Sequence, residues 1–161
     1  MIEYKNGDVL KAEERIICQS VNYQGVMGAG LSRQIKNKYP GVMEDYLDKI
    51  EDFSFDAIRS HGIFSGYPTS DGKIIASIFG QNEYATSYNW GKKQTDYLSL
   101  GNGLVSVRRV AQNLNPFGSI AIPFGIGCGL GGGDWELVEE MIKNIFEDYP
   151  HLKVSIYKLS K

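Results

Sequence analysis

The feature of the sequence that most restricts the fold is a glycine-rich run, residues 125–133, in which six of nine residues are glycine. An apolar segment, residues 119–124, precedes the run, and an amphipathic helical pattern begins at Asp134. Glycine has no Cβ, so the chain there can adopt left-handed angles and approach a ligand closely. A strand that leads through glycines into a helix presents backbone N–H groups to an anion, and the helix N-terminus adds positive partial charge. The run therefore predicts an anion-binding loop at the end of a strand.

A second glycine-bearing loop occurs earlier in the chain, at residues 25–30. The apolar residues 15–21 before it predict a buried strand, and Leu31, Ile35 and Tyr39 after it recur at helical spacing. Ligands of parallel α/β sheets bind beyond the carboxyl ends of the strands. We therefore expect the two loops to face one cleft and to bind different parts of one ligand.

The remaining sequence patterns alternate between strands and helices. They predict strands at residues 62–67, 73–79, 120–123 and 154–157, helices at 42–50, 95–114 and 134–149, and a surface loop at 80–93. Such alternation predicts an α/β sandwich with a largely parallel central sheet, formed by one domain over residues 1–161.

Composition and charge exclude several classes of protein. The net charge of -2 and the pI near 5.7 provide no general basic field for nucleic acid or an anionic membrane. Neither loop has the lysine of a P-loop, and the order Gly25, Gly28, Gly30 reverses the dinucleotide-binding spacing. Cys18 and Cys128 lack metal-ligand spacing, so we expect no metal or other cofactor. With neither a signal peptide nor an apolar run of membrane-spanning length, the sequence predicts a cytoplasmic protein without a membrane partner.

Four short motifs follow one another along the chain: Asn6-Gly7-Asp8-Val9-Leu10, Ser20-Val21-Asn22, Gly25-Val26-Met27-Gly28-Ala29-Gly30-Leu31 and Pro123-Phe124-Gly125-Ile126-Gly127-Cys128-Gly129-Leu130. In order and spacing they resemble the motifs of the macrodomain family, and the match spans almost the whole chain. The branch they most resemble contains ADP-ribose 1''-phosphate phosphatases, terminal ADP-ribose glycohydrolases and small bacterial and phage macrodomain proteins. This resemblance implies a three-layer α/β/α fold with a mixed, largely parallel central sheet, and a cleft for ADP-ribose.

The resemblance also implies which residues contact the ligand. The carboxylate of Asp8 would accept a hydrogen bond from the adenine amino group, and the amide of Asn22 would hold the distal ribose. The loops would enclose the diphosphate, which gives these candidate binding residues: Asp8, Val9, Ser20, Val21, Asn22, Met27, Gly28, Ala29, Gly30, Leu31, Ser32, Pro123, Phe124, Gly125, Ile126, Gly127, Cys128, Gly129 and Leu130. Asp8 also suits a cap of a helix or turn, and Asn22 suits a turn with left-handed angles.

Two departures from the family pattern affect the expected reaction. Where the lysine-dependent glycohydrolases of this branch have a lysine and an aspartate, this sequence has Gln81 and Gly131. Glutamine cannot attack the ribose as an amine nucleophile. The nearest remaining acid is Asp134, which either activates a water on the terminal phosphate or caps the last helix. Asn22 and Asp134 are therefore the predicted catalytic residues.

From this resemblance we predict a monomeric enzyme that binds an ADP-ribose derivative and hydrolyses ADP-ribose 1''-phosphate without a metal. Three alternatives stay open: an ADP-ribosyl hydrolase that acts on modified protein or nucleic acid, a binding module without turnover and, as the weakest, a structural role in which the glycines only form turns. Nucleic acid is expected only as such a modified substrate. The candidate rings for stacking on the ligand are Phe79, Tyr84, Tyr88 and Trp90.

Overall fold

The computed structural model describes residues 2–83, 93–129 and 132–159. The strands are β1 (Ile2–Asn6), β2 (Ile16–Asn22), β3 (Phe64–Pro68), β4 (Ile74–Gln81), β5 (Ile120–Pro123) and β6 (Val154–Lys158). The helices are α1 (Gly30–Lys38), α2 (Gly41–Asp52), α3 (Phe55–His61), α4 (Tyr97–Asn113) and α5 (Trp135–Phe146), and a short 3-10 turn spans Val9–Lys11. Among the described residues, no helix combines the length and the apolar composition that crossing a bilayer requires.

The described strands form one six-stranded sheet in the order β1-β6-β5-β2-β4-β3. Neighbouring strands run parallel except β3 and β4, which pair antiparallel with Phe64 opposite Ile78. A turn at residues 69–72 joins these two strands, as the sequence predicts, and Thr69 N–H donates to Lys73 O at 2.8 Å. The predicted α/β class and the mixed, largely parallel sheet are confirmed.

Successive residues of the strands point to opposite faces of the sheet, so the sheet separates two apolar cores. On one face, Ile16 and Cys18 of β2 pack with the apolar sides of α4 and α5. On the other face, Ile17 and Val21 pack with α1, α2 and α3. The expected three-layer α/β/α arrangement is therefore confirmed.

The neighbouring strands β2 and β5 send the chain to opposite faces of the sheet. β2 leads to α1 in one layer, whereas β5 leads to α5 in the other. The two strands pair at Ile16 with Ile120 and at Ile17 with Ala121, and no later pair joins them in the described residues. A switch of this kind opens a crevice at the carboxyl ends of the strands.

Some boundaries differ from those predicted from the sequence. The sequence pattern gives no signal for β1, which is an edge strand with exposed residues, or for α3, which has only seven residues. Gly80 and Gln81, which we expected in a loop, belong to β4 because Gln81 pairs with Asn22 and Asp96 N–H donates to Gly80 O at 2.9 Å. α4 begins at Tyr97 and α5 ends at Phe146, inside their predicted limits.

Of the four aromatic rings predicted to stack on the ligand, one lies in the core and three lie outside the described residues. Phe79 is only 1% exposed and packs in a core beside Tyr23 and Tyr46, so its ring is not available to a ligand. Tyr84, Tyr88 and Trp90 lie outside the described residues.

Glu14, which precedes β2, connects the strands β1 and β6. Its buried carboxylate accepts hydrogen bonds from Lys5 Nζ at 2.8 Å, from Ser155 Oγ at 2.9 Å and from the Tyr157 hydroxyl. Burial alone would raise the pKa of this carboxyl, but the hydrogen bonds from Lys5, Tyr157 and Ser155 outweigh burial and lower the pKa to about 2. The ionised carboxylate therefore holds β1 and β6 next to the start of β2.

We predict that Glu14→Gln lowers the free energy of unfolding at pH 7 by about 2–3 kcal/mol, because a neutral amide replaces the charge that Lys5 contacts. Since the pKa falls from 4.5 to about 2 in the folded protein, the carboxylate contributes fully above pH 4.5 and progressively less as the pH falls toward 2. Urea unfolding at pH 7 and pH 3 measures both effects. The two proteins should differ less at pH 3, and equal stability at pH 7 would contradict the role of Glu14.

Candidate functional site

The two glycine loops line one cavity of about 340 Å³ at the carboxyl ends of β2 and β5. The lining residues are Gln19, Ser20, Ala29, Gly30, Leu31, Ser32, Gln81, Pro123, Phe124, Gly125, Ile126, Gly127 and Gly129. The expectation that both loops face one cleft is confirmed.

A second cavity, of about 380 Å³, adjoins the first one. The two share Gly30, Leu31, Pro123 and Phe124, so they form two parts of one elongated cleft. The lining of the second part is completed by Gly7, Asp8, Val9, Gln34, Tyr157, Lys158 and Leu159. This part holds an acidic and a basic side chain, Asp8 and Lys158, at its edge.

The loop after β5 leaves alternate backbone amides available. Ile126 N–H donates to Pro123 O at 3.0 Å, and Cys128 N–H donates to Gly125 O at 2.8 Å. Within the described part of the chain, the N–H groups of the intervening Gly125, Gly127 and Gly129 have no hydrogen-bond acceptor. Three N–H donors of the loop therefore stand at the cavity wall without an internal partner.

The N-terminus of α1 supplies the facing wall. Its N-cap residue is Ala29, which has no side-chain oxygen, whereas Ser54, Asp96 and Asp134 cap α3, α4 and α5 with side-chain hydrogen bonds. The first N–H groups of a helix have no acceptor within the helix. Because no side chain caps α1, these N–H groups and the positive end of the helix remain available to an anion in the cavity.

None of the described side chains that line the first cavity is ionisable, and the polar ones are those of Gln19, Ser20, Ser32 and Gln81. Gln19 is buried and fixed by two hydrogen bonds: its Nε2 donates to Ser77 Oγ at 2.9 Å, and its Oε1 accepts from Ser32 Oγ at 2.8 Å. Ser20 Oγ is buried without a hydrogen-bond partner among the described residues. Binding of an anion here would therefore rely on backbone N–H groups and hydroxyl groups rather than on lysine or arginine. No group of three metal-ligating side chains occurs in residues 2–83, 93–129 and 132–159.

Comparison with known proteins gives relatives along the length of the chain, although no protein-family model matches it. The chain is 29% identical over 157 residues to a DNA ADP-ribosyl glycohydrolase of Mycobacterium tuberculosis, and the match covers 98% of this chain but only 42% of that protein. It is 25% identical over 182 residues to an ADP-ribose 1''-phosphate phosphatase of Saccharomyces cerevisiae, with 98% of each chain covered.

Among solved structures, the macrodomain of Mycobacterium tuberculosis DarG has a TM-score of 0.75 and 27% sequence identity to this chain. The match covers 98% of this chain and 97% of that one. The chain has the fold of a macrodomain. Described residues of the first, third and fourth motifs line the cleft, as do Ser20 of the second motif and its neighbour Gln19.

In this macrodomain the side chain of Asn22 is turned into the protein. Its Nδ2 donates to Val26 O at 2.9 Å, and its Oδ1 accepts from Gln24 N–H at 3.0 Å and from the Tyr46 hydroxyl at 2.8 Å. Asn22 is 5% exposed and does not line the cavity, and burial raises the pKa of Tyr46, which stays protonated. The amide of Asn22 thus shapes the first loop, and its contact with the ribose stays a prediction.

Asp134 is the N-cap of α5. Its Oδ1 accepts from Glu136 N–H at 3.0 Å, and its own N–H donates to the Tyr97 hydroxyl at 2.9 Å. Asp134 is exposed and is not among the lining residues of either part of the cleft. Burial and the charge of Asp134 raise the pKa of the nearby Cys128 thiol, so that thiol is protonated at neutral pH.

The other predicted binding residues divide into three groups. Val9 and Asp8 line the second part of the cleft, and Asp8 Oδ1 also accepts from Leu10 N–H at 2.9 Å, which is the capping role considered above. Val21 and Met27 are 2% and 1% exposed, so their side chains support the loop from the core instead of lining the cavity. Gly28 and Cys128 are not among the lining residues, and Leu130 and Gly131 lie outside the described residues.

Several lining residues were missed by the sequence analysis: Gln19, Gln34, Tyr157, Lys158 and Leu159. Gln19 interrupts an otherwise apolar buried strand, a pattern that indicates a polar side chain with a specific partner. Tyr157 and Lys158 end β6, whose carboxyl end lies at the same edge of the sheet as those of β2 and β5. Both signals are readable once the order of the strands is known.

We predict that Asn22→Ala lowers the free energy of unfolding by about 2 kcal/mol, because it removes the side-chain oxygen that accepts from two loop N–H groups and leaves the Tyr46 hydroxyl only the backbone carbonyl of residue 22. Asn113→Ala is the matched control, since among the described residues Asn113 donates only to Arg109 O within its own helix, and it is solvent-exposed. Thermal unfolding of the three proteins measures the difference. If both variants melt like the wild type, Asn22 does not hold the loop.

Proposed function

We propose that this macrodomain binds ADP-ribose derivatives and hydrolyses ADP-ribose 1''-phosphate to ADP-ribose and phosphate. The proposal rests on two sets of backbone N–H groups that face one cavity from opposite walls. One set lies at the start of α1, and the other belongs to Gly125, Gly127 and Gly129. A diphosphate has oxygens on both sides, so it can accept hydrogen bonds from the two walls together.

The elongated cleft fits the two ends of such a ligand. The first cavity, with hydroxyl and amide side chains, suits the diphosphate and the distal ribose, because these offer oxygen acceptors and hydroxyl donors. The second cavity holds the Asp8 carboxylate, which suits the amino group of adenine. The relative from Saccharomyces cerevisiae, named as an ADP-ribose 1''-phosphate phosphatase, supports this choice of substrate.

The proposed reaction transfers the terminal phosphoryl group to water. Water attacks phosphorus as the bond to the ribose 1''-oxygen breaks, the proton of the attacking water passes to Asp134, and the 1''-oxygen leaves as a hydroxyl after taking a proton from solvent. The fixed loop amides hold the phosphate oxygens while negative charge moves in the transition state. Asn22 would take part by holding the ribose or, as its hydrogen bonds suggest, by fixing the loop that does so.

A second candidate reaction is removal of ADP-ribose from a modified macromolecule. The mycobacterial relative is named as a DNA ADP-ribosyl glycohydrolase, which favours it. Against it, Gln81 lines the cavity where the resembling glycohydrolases have lysine, and its Nε2 donates to Glu83 O at 2.5 Å. An amide at this position offers no amine nucleophile.

Three measurements on one preparation distinguish these functions. Calorimetric titration with ADP-ribose tests binding, and release of phosphate from ADP-ribose 1''-phosphate tests the first reaction. Release of ADP-ribose from ADP-ribosylated DNA or protein tests the second. We expect binding and phosphate release; binding without either turnover would leave a binding module, and no binding would refute the proposal.

Gly129→Val should abolish most of the binding while the fold persists. A methyl group placed at Gly129 meets no other heavy atom within 4 Å, so a valine side chain would project into open space at the cavity wall. The added side chain would keep a phosphate away from the N–H groups of the loop. Because hydrogen bonds to a charged group contribute about 1.5–3 kcal/mol, we expect ADP-ribose affinity to fall more than about tenfold. Calorimetry and melting temperature are measured together, with Gly66→Val on the edge strand β3 as control. Normal binding by Gly129→Val would exclude the loop as a phosphate site.

Asp134→Asn separates catalysis from capping. Asparagine caps helices as well as aspartate does, so the melting temperature should change little, but its amide cannot take a proton from water. We expect phosphate release to fall at least about a hundredfold, which is the lower end of the usual contribution of a general base. Unchanged turnover with unchanged stability would restrict Asp134 to its structural role.

A further inference from the structure

The segment at the start of α4, residues 94–99, contacts residues that flank both glycine loops. The Tyr97 hydroxyl accepts the N–H of Asp134, directly after the second loop, and Ser99 Oγ lies 2.5 Å from the hydroxyl of Tyr23, just before the first. The N-cap residue Asp96 is buried, accepts from Ser99 N–H at 3.1 Å and pairs with Arg59 at 2.6 Å. The segment is therefore a fixed element between the two walls of the cleft.

Thr95 occupies the centre of this segment and is 6% exposed. Its backbone forms an antiparallel bridge with Gln81, and the flanking residues bond to the end of β4, through Asn82 N–H to Gln94 O at 2.8 Å and Asp96 N–H to Gly80 O at 2.9 Å. The position of the Thr95 side chain is thus set by the sheet. Its Oγ1 donates to the carbonyl oxygen of Gly127 in the second loop.

The Gly127 carbonyl receives a second donor from the other end of its own loop. Gly133 N–H donates to Gly127 O at 3.2 Å. A methyl group at Gly133 would lie 2.7 Å from Gly127 O and 2.9 Å from Thr95 Oγ1, so only glycine allows the three groups to converge. Two donors on one carbonyl hold that peptide in a single orientation.

The orientation of this peptide decides whether the loop attracts or repels an anion. The Gly127 carbonyl and the Cys128 N–H belong to the same peptide, and both are engaged inside the protein, the N–H by Gly125 O at 2.8 Å. The adjacent peptides carry the available N–H groups of Gly127 and Gly129. If the Gly127 carbonyl turned toward the cavity, its oxygen would face the oxygens of a bound phosphate and oppose binding.

We propose that Thr95 is a positioning residue, which keeps the Gly127 carbonyl out of the cavity and thereby presents the amides of Gly127 and Gly129 to the ligand. The inference rests on the proposed function only for the identity of the ligand, ADP-ribose. Thr95 itself is not among the residues that line the cavity, so a list of ligand contacts would not include it.

The test compares Thr95→Val, which removes the hydroxyl, with Thr95→Ser, which keeps it. Thr69→Val is the matched control, because the Thr69 hydroxyl is also buried and bonded, to Asp71 and to Lys73, but at the opposite end of β4. Calorimetry with ADP-ribose gives the affinity, melting temperature gives the stability, and hydrogen exchange of the Cys128 amide reports the order of the loop without any ligand.

We expect Thr95→Val to weaken ADP-ribose binding about tenfold, the effect of losing one net hydrogen bond, and to accelerate exchange of the Cys128 amide. Thr95→Ser should restore both, and Thr69→Val should lower the melting temperature without either effect. Equal affinity and equal exchange in Thr95→Val and the wild type would overturn the inference. Failure of the wild type to bind ADP-ribose would refute the proposed function instead, and the exchange rates would still decide whether Thr95 orders the loop.

Discussion

The parallel pairing of β2 with β5 is the constraint on which the site depends. The two strands are joined at Ile16–Ile120 and Ile17–Ala121, and the chain then leaves them toward opposite layers. Because both strands run in the same direction, the loops that follow them emerge at the same edge of the sheet. Neither loop alone surrounds a ligand, but their separation across the switch point leaves room for one between them.

The first cavity of the cleft presents backbone N–H groups rather than charged side chains. Its described wall around the first cavity has no lysine or arginine, and the net charge of the protein is -2, so no strong general field attracts anions. Selectivity must then come from the positions of N–H groups, which are fixed by hydrogen bonds such as those of Cys128 N–H and Gly127 O. A loop built mainly of glycine would be disordered without such bonds, since glycine has the largest backbone freedom to lose.

The glycine loops and the order of strands and helices could be predicted from the sequence because their signals are local. Residues 120–123 and 16–22 are apolar runs that end in glycine-bearing segments, and α5 has a clear amphipathic repeat. The direction in which Asn22 turns could not be predicted, since it depends on Tyr46, which is 24 residues further along the chain. The hydrogen bond of Thr95 could not be predicted either, since its partner Gly127 is 32 residues away. Contacts of this kind are set by packing, which periodicity does not encode.

The two side chains predicted to be catalytic, those of Asn22 and Asp134, both have structural roles in this chain. Asn22 uses its amide to close the first loop, and Asp134 uses one carboxylate oxygen to cap α5. A substitution that removes these hydrogen bonds therefore changes the shape of a loop or the start of a helix as well as any chemistry, so loss of turnover alone does not identify a catalytic group. The second oxygen of Asp134 has no hydrogen-bond partner among the described residues, and this oxygen is the one available to accept a proton. One carboxylate can serve both as a cap and as a base when its two oxygens face different partners. An asparagine replacement keeps the oxygen that caps α5 but puts an NH₂ group, which cannot accept a proton from water, in place of the second oxygen.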